Sequence, residues 1–233
     1  MVHLLENFLT MSNSVPSSIG RKIIMALSGL FLVSFLGLHF VINLLSVIAP
    51  DLFNEASHFM GYNKVVQYAL QPVLIAGVII HFLMGFVLEI ENKKARGPVG
   101  YSNYNGGANA SWMSRNMIVS GAVVLAFLGL HMYDFWFHEM VYKYVEAAPE
   151  DPTRYLGETV HKFESIVRTG IYVFSFVLLM LHLLHGFKSS FQSMGWNNKY
   201  SRALSSFATL YAIIIPLGFI FIALFHHFNQ LSH

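Results

Sequence analysis

Five long runs of apolar residues, at positions 23–48, 65–88, 117–137, 166–187 and 203–228, set the pattern of the chain. Each is of membrane-spanning length with few or no charges. Asp134 lies near the end of the third run and Arg168 at the start of the fourth. The pattern predicts an all-α membrane protein of five transmembrane helices, the first four forming a four-helix bundle of two hairpins. Residues 1–22 are polar and lack an apolar core followed by a cleavage site, so they are expected as an interfacial arm before a five-span domain over 23–233. Among the connections, residues 97–111 (GPVGYSNYNGGANAS) have little helical tendency. Residues 141–165 read as a longer acidic loop broken by Pro149 and Pro152. Residues 50–62 (PDLFNEASHFMGY) interleave Phe and Met with Glu55 and His58, and are expected to lie flat at the interface.

Composition supports the spans. With 55% hydrophobic residues, 11% charged residues and 21 Phe, the surface of this chain is not one to leave in water. On the side of the N-terminus lie Arg21, Lys22, Lys93, Lys94, Arg96, Arg115, Lys188, Lys199 and Arg202; the opposite side has Lys64, Lys143, Arg154, Lys162 and Arg168 among many acids. The excess of cations places the N-terminus in the cytoplasm. The net charge of +2 then reflects topology and gives no reason to expect nucleic-acid binding. Cysteine is absent, which removes disulfides, thiolate-held iron-sulfur clusters and covalent haem attachment. Any redox centre here is held by histidine.

The chain repeats itself at its histidines. Residues 28–39 (SGLFLVSFLGLH) return at 120–131 (SGAVVLAFLGLH), and residues 81–86 (HFLMGF) at 182–187 (HLLHGF). The second hairpin thus reads as a parallel copy of the first, with span five outside the repeat. At about 1.5 Å rise per residue, His39 and His131 both fall roughly 25 Å from the inner surface, and His81 and His182 both roughly 24 Å from the outer one. Depth therefore pairs the histidines as the repeat does. Two facing imidazoles from different helices at one height are what a bis-histidine haem needs, and an unpartnered imidazole in lipid is costly. The expected cofactors are two haems b, with levels roughly 10–20 Å apart in a layer of about 30 Å. Gly77 and Gly85 flank His81 by four residues and Gly186 follows His182 by four, leaving room for a porphyrin edge. Ser28 and Ser120, eleven residues before His39 and His131, face the same side and are expected to meet a propionate or a water. His185 competes with His182 as ligand, but the glycine spacing favours His182. His226 and His227 are expected at the interface.

Together these residues resemble a known family. The chain is similar to the di-haem cytochrome b membrane anchor, of the cytochrome b558 type, of succinate:quinone oxidoreductases (succinate dehydrogenase and the related fumarate reductases). The resemblance covers nearly the whole chain: the five spans, His39 to Asn43, the Phe53 to Met60 connection, His81 with Gly85, His131, His182 with Gly186, and Met194-Gly195-Trp196. It implies a bacterial cytoplasmic membrane, a proximal haem on His81 and His182, and a distal haem on His39 and His131. It also implies an iron-sulfur subunit and an FAD flavoprotein as partners, the latter performing the succinate and fumarate chemistry of the tricarboxylic acid cycle. A menaquinone-type quinone would react near the outer end. Competing expectations are the di-haem anchor of a hydrogenase or formate dehydrogenase, and a non-haem transporter with proton-relaying histidines.

Two further roles follow from charge. Haem propionates require cations, for which Arg168 is best placed outside and Arg21, Arg115 and Lys188 compete inside. Quinone chemistry requires a titratable group near water, for which Glu55 is the first choice, with His58 and His138 behind it.

Overall fold

In the computed structural model, residues 17–96, 117–196 and 198–230 are described, and among them there are helices and no strands. Helix α1 (Ser18–Ile48) begins where the Ser17 hydroxyl accepts from the Gly20 amide at 3.3 Å. Helix α2 (Pro50–Tyr62) starts with proline in its first turn and Asp51 beside it, both suited to a helix N-terminus. Asn63 ends it, and its side chain accepts from the amides of Val65 and Val66 at 2.9 and 3.2 Å to open the next helix. Helix α3 is π-wound over Val66–Leu70 and α-helical over Gln71–Arg96. Helix α4 (Met117–Val145) is α-helical over Met117–His131, π-wound over Met132–Phe137, briefly α-helical, and π-wound again over Val141–Val145. Helices α5 (Arg154–Phe163), α6 (Ile166–Ser193) and α7 (Ser201–Gln230) complete the chain.

The protein is a multi-pass membrane protein: α1, α3, α4, α6 and α7 are long and apolar enough to cross a bilayer. The helices outrun their apolar cores, because backbone hydrogen bonding continues into the headgroup layer where polar side chains are tolerated. Thus α1 takes in residues 18–22 of the expected arm, whose residues 1–16 lie outside the described residues, as does the connection at 97–111. Most of the expected loop at 141–165 is helix, as the end of α4 and as α5. Helix α6 stops at Gly195, whose φ of +74° is a left-handed conformation suited to glycine. The amides of Gly195 and Trp196 close that turn on Gln192 and Phe191, and Trp196 stacks on Phe191. The Met194-Gly195-Trp196 sequence is thereby explained as a helix stop.

Packing is uneven. Helices α6 and α7 form the densest contact, built on Tyr172, Phe176, Ile215 and Phe219. Helix α1 lies against α3, α6 and α7, while α4 lies against α6; α3 and α4 meet only along a short stretch. These contacts close a ring in the order α1, α3, α4, α6, with α7 outside it, so α1 faces α4 and α3 faces α6 across the diagonals. The expectation for His226 and His227 is corrected. Both are buried, because the end of α7 tucks under α1 and α5. The His226 Nε2–H donates to Ser46 Oγ at 2.8 Å, and the His227 Nδ1–H to the Phe163 carbonyl at 2.8 Å.

Candidate functional site

Each diagonal carries one histidine pair. Across α1 and α4 the rings of His39 and His131 have centroids 5.7 Å apart and planes at 83°. Across α3 and α6 those of His81 and His182 are 6.4 Å apart at 70°. A histidine nitrogen sits about 2.0–2.1 Å from a bound first-row metal, so imidazoles on opposite sides of one ion have centroids roughly 6 Å apart. Both pairs fit that spacing. Among the described residues no three His, Cys, Asp or Glu side chains converge. Each pair therefore offers two imidazoles as possible donors. His182, and not His185, is the residue opposite His81.

The α3/α6 pair is oriented by a matched set of contacts. Ser28 donates its hydroxyl hydrogen to the Met25 carbonyl at 3.0 Å, leaving its oxygen to accept from the Nδ1–H of His81 at 3.1 Å. Ser120 does the same with Met117 at 3.0 Å and with His182 at 3.3 Å. A proton on Nδ1 leaves Nε2 as the free donor, the arrangement that orients metal-ligating histidines. The two serines thus meet imidazoles, where a propionate or water was expected. Gly29 and Gly121, shared by both repeats, are part of the same arrangement. A Cβ would lie 3.2 Å from His81 Cε1 at Gly29 and 3.4 Å from His182 Cε1 at Gly121. A side chain at Gly29 would displace the His81 ring by a few tenths of an ångström, while one at Gly121 would make ordinary contact with His182.

Gly77, Gly85 and Gly186 face other neighbours. A Cβ on Gly77 would come within 2.7 Å of Phe31, so this glycine serves helix packing. Met25 lies beside Gly85 and Met117 beside Gly186, at 3.8 and 3.0 Å from an added Cβ. At Gly85 that is an ordinary van der Waals distance, whereas at Gly186 the flexible end of Met117 would have to yield by a few tenths of an ångström.

The α1/α4 pair has a different setting. Asn43 Nδ2 donates to the His39 carbonyl at 2.8 Å and lies 3.4 Å from the ring nitrogens, while the buried Nδ1 of His131 has no partner among the described residues. One turn beyond His131, the fully buried Asp134 accepts from the Tyr172 hydroxyl at 2.8 Å. Its other oxygen makes no hydrogen bond but lies 3.5 Å from Arg168 Nη2, a charge–charge contact. Arg168, assigned from sequence to a propionate, is thus beside Asp134, a partner that the sequence left unassigned. Of the inner candidates, Arg21 is held by Glu91 at 2.9 Å, Lys188 is exposed, and Arg115 lies outside the described residues.

At the end carrying α2 and α5, Glu139 is clamped by Lys143 at 2.7 Å and by Arg154, which also binds Glu158 at 2.6 Å. Burial acts to lower the Arg154 guanidinium, but hydrogen bonds to Glu139 and Glu158 more than offset it and hold it above its ordinary value. Burial, then the Glu139 charge, raises the phenols of Tyr155 and Tyr62. His58 stacks on Tyr62 at 4.6 Å, its buried Nδ1 has no partner among the described residues, and its Nε2 is 3.8 Å from Glu150. Glu55 is exposed, and no partner reaches its carboxylate among the described residues. His138 lies on α4 beyond the pair.

Comparison with family models, with curated proteins and with solved structures gave no match.

Proposed function

We propose that the protein is a transmembrane di-haem cytochrome b. The observation that carries this is the pair of diagonals, each placing two imidazoles from separate helices at the spacing of axial ligands. Ser28 and His39 are eleven residues apart on α1, and Ser28 is bonded to His81, so the two pairs differ in height by roughly 16 Å. Ser120 and His131 on α4 repeat that offset. Haem bound at each level supplies one-electron transfer. The chain's part is to hold imidazoles at two heights, with Ser28 and Ser120 fixing the tautomer at one level and the apolar spans excluding water from both.

More particularly, we propose that it anchors a succinate:quinone oxidoreductase in the membrane, passing electrons between an iron-sulfur subunit and quinone, with an FAD subunit acting on the dicarboxylate. The resemblance supports this through its histidine positions and the α2 connection, where Phe53 is buried and Asn54 accepts from the Leu156 amide of α5 at 2.8 Å. Pyridine haemochrome analysis of the purified protein is expected to give two haems b per chain. A reproducible value of zero or one in fully loaded protein refutes the pairing. Co-purification of a flavoprotein and an iron-sulfur protein tests the particular complex; a nickel or molybdenum enzyme in their place points to the anchor of a hydrogenase or formate dehydrogenase.

A further inference from the structure

We propose that the cavity at the start of α6 binds the phosphate of an anionic phospholipid whose acyl chains run down the lipid-facing side of that helix. The cavity, of about 410 Å³, lies where α5 ends and α6 begins, with Leu130 of α4 as a further wall. His161, Lys162, Glu164, Ser165 and Arg168 supply its polar lining. Two cations remain available there. The Lys162 ammonium has no partner among the described residues. Arg168 is held from behind by its charge–charge contact with Asp134 at 3.5 Å, but its side-chain N–H groups have no hydrogen-bond acceptor among the described residues. A guanidinium in that state offers a planar fork of donors, the geometry that grips a phosphate at two points. The Ser165 hydroxyl accepts from the Arg168 amide at 3.4 Å and keeps its own hydrogen to donate. Glu164, the acid in the lining, is engaged by the His161 Nδ1–H at 3.0 Å.

The backbone adds to the positive field. Helix α6 runs for 28 residues without an acid in its first turn, and the amides of Ile166 and Val167 have no acceptor among the described residues, so this end attracts an anion. The carbonyls at the end of α5 that would oppose it are already used: Val160 accepts from Gln230, His161 from the Glu164 amide, and Phe163 from Thr169 and His227. Beyond the cations along α6, Val167, Ile171 and Phe174 follow one another at four and three residues, share one face, and are 69%, 44% and 60% exposed. On a membrane-spanning helix that face meets acyl chains. Cations set at the head of an apolar face match a phosphodiester carried on acyl chains, whereas a free phosphate leaves the face unused. Ordinary basic residues near the end of a span reach for any headgroup. Here a cavity, a helix end and a guanidinium anchored by Asp134 converge on one.

The full chain, purified in a neutral detergent, is titrated with dihexanoylphosphatidylglycerol, with dihexanoylphosphatidylcholine and with inorganic phosphate, while native mass spectrometry counts bound lipid and thermal unfolding reports stability. One saturable site is expected, at least about tenfold tighter for phosphatidylglycerol than for phosphatidylcholine, since two cations act on its net charge. Lys162→Gln is expected to weaken it about fivefold, the effect of one cation beside an anionic lipid. Arg168 is removed together with its partner, as Asp134→Asn/Arg168→Gln, so that no buried carboxylate is left alone. That double variant keeps the net charge of the chain, and a loss of affinity of about fivefold is again expected, where attraction by overall charge alone gives none. Affinity unchanged in either variant overturns the site, as does equal binding of the two lipids. Inorganic phosphate that stabilises the chain as well as phosphatidylglycerol does overturns the lipid as its occupant. Lys162 is half-buried and unpartnered among the described residues, so its variant tests the site even where the double variant does not fold.

Discussion

Replacing Ser28 by alanine removes the acceptor for the His81 Nδ1–H while leaving the helix intact. An unsatisfied buried donor costs about 1–3 kcal/mol, and His81 is only half-buried, which puts the cost near the lower half of that range, about 1.5 kcal/mol. Loss of a partner behind a metal ligand typically weakens metal binding by about 10–100-fold, or roughly 1.4–2.8 kcal/mol, so the two routes agree. Ser28→Ala is thus expected to weaken haem at the His81/His182 level by about tenfold. Ser120→Ala is expected to act comparably through its contact to His182 at 3.3 Å. The double variant is expected to fall short of the sum, since both serines contact the same histidine pair. Haem transfer to an excess of an acceptor apoprotein, resolved into two components by reduced-minus-oxidised spectra, measures the effect. Ser34, an exposed serine of α1 that donates to the Leu30 carbonyl at 2.9 Å and touches no histidine, supplies the control as Ser34→Ala. A loss confined to the His39/His131 component, or none in the double variant, would refute the reasoning.

Other substitutions test the remaining parts. His39→Ala and His131→Ala are each expected to abolish one spectral component, and His81→Ala and His182→Ala the other; a loss that pairs His39 with His81 breaks the assignment. Arg154→Leu leaves Glu139 and Glu158 without their shared cation in a site where Arg154 is 8% exposed, so thermal unfolding in detergent is expected to show about 3 kcal/mol of destabilisation. The Tyr155 phenol is raised in the fold, so its neutral form is favoured there, and its contribution is complete below the unfolded value near pH 10 and is lost as pH rises past it. The fall in melting temperature between pH 9 and 11 is accordingly expected to be smaller in Tyr155→Phe; an equal fall would remove Tyr155 from the alkaline transition.

The histidine pairs were legible in the sequence because a helix has a fixed rise. Counting residues from the ends of spans gave the heights of His39, His131, His81 and His182, and the contacts across both diagonals follow that count. Direction around the helix axis was less accessible. Ser28 was placed on the right face and three turns below His39, but its partner His81 sits on another helix, whose rotation the sequence does not specify. Gly29 and Gly121 were visible in the repeat as part of Ser-Gly, yet their role appears only when His81 and His182 lie against them. Charge partners were hidden for the same reason: Asp134 and Arg168 stood out separately as charges in apolar runs, and only the packing of α4 on α6 joins them. The π-wound turns had no signal in hydrophobic spacing, because one extra residue per turn hardly alters an almost wholly apolar pattern. Burial of His226 was missed because nearness to a span's end implies water only where no other helix covers it.

The hydrogen bond from His81 to Ser28 couples one histidine level of the protein to the helix that carries His39 of the other level. Ser120 does the same for His182 on the helix of His131. The vertical distance between the two levels is therefore graduated twice along single helices, eleven residues each time, and is not left to the packing of one helix against another. A bilayer that thins or thickens tilts these helices without stretching them. On the proposed di-haem reading, electron exchange between centres held this way would keep its distance in membranes of different thickness, and a one-residue insertion between Ser28 and His39 would shift His39 by about 1.5 Å and turn it about 100° away from His131.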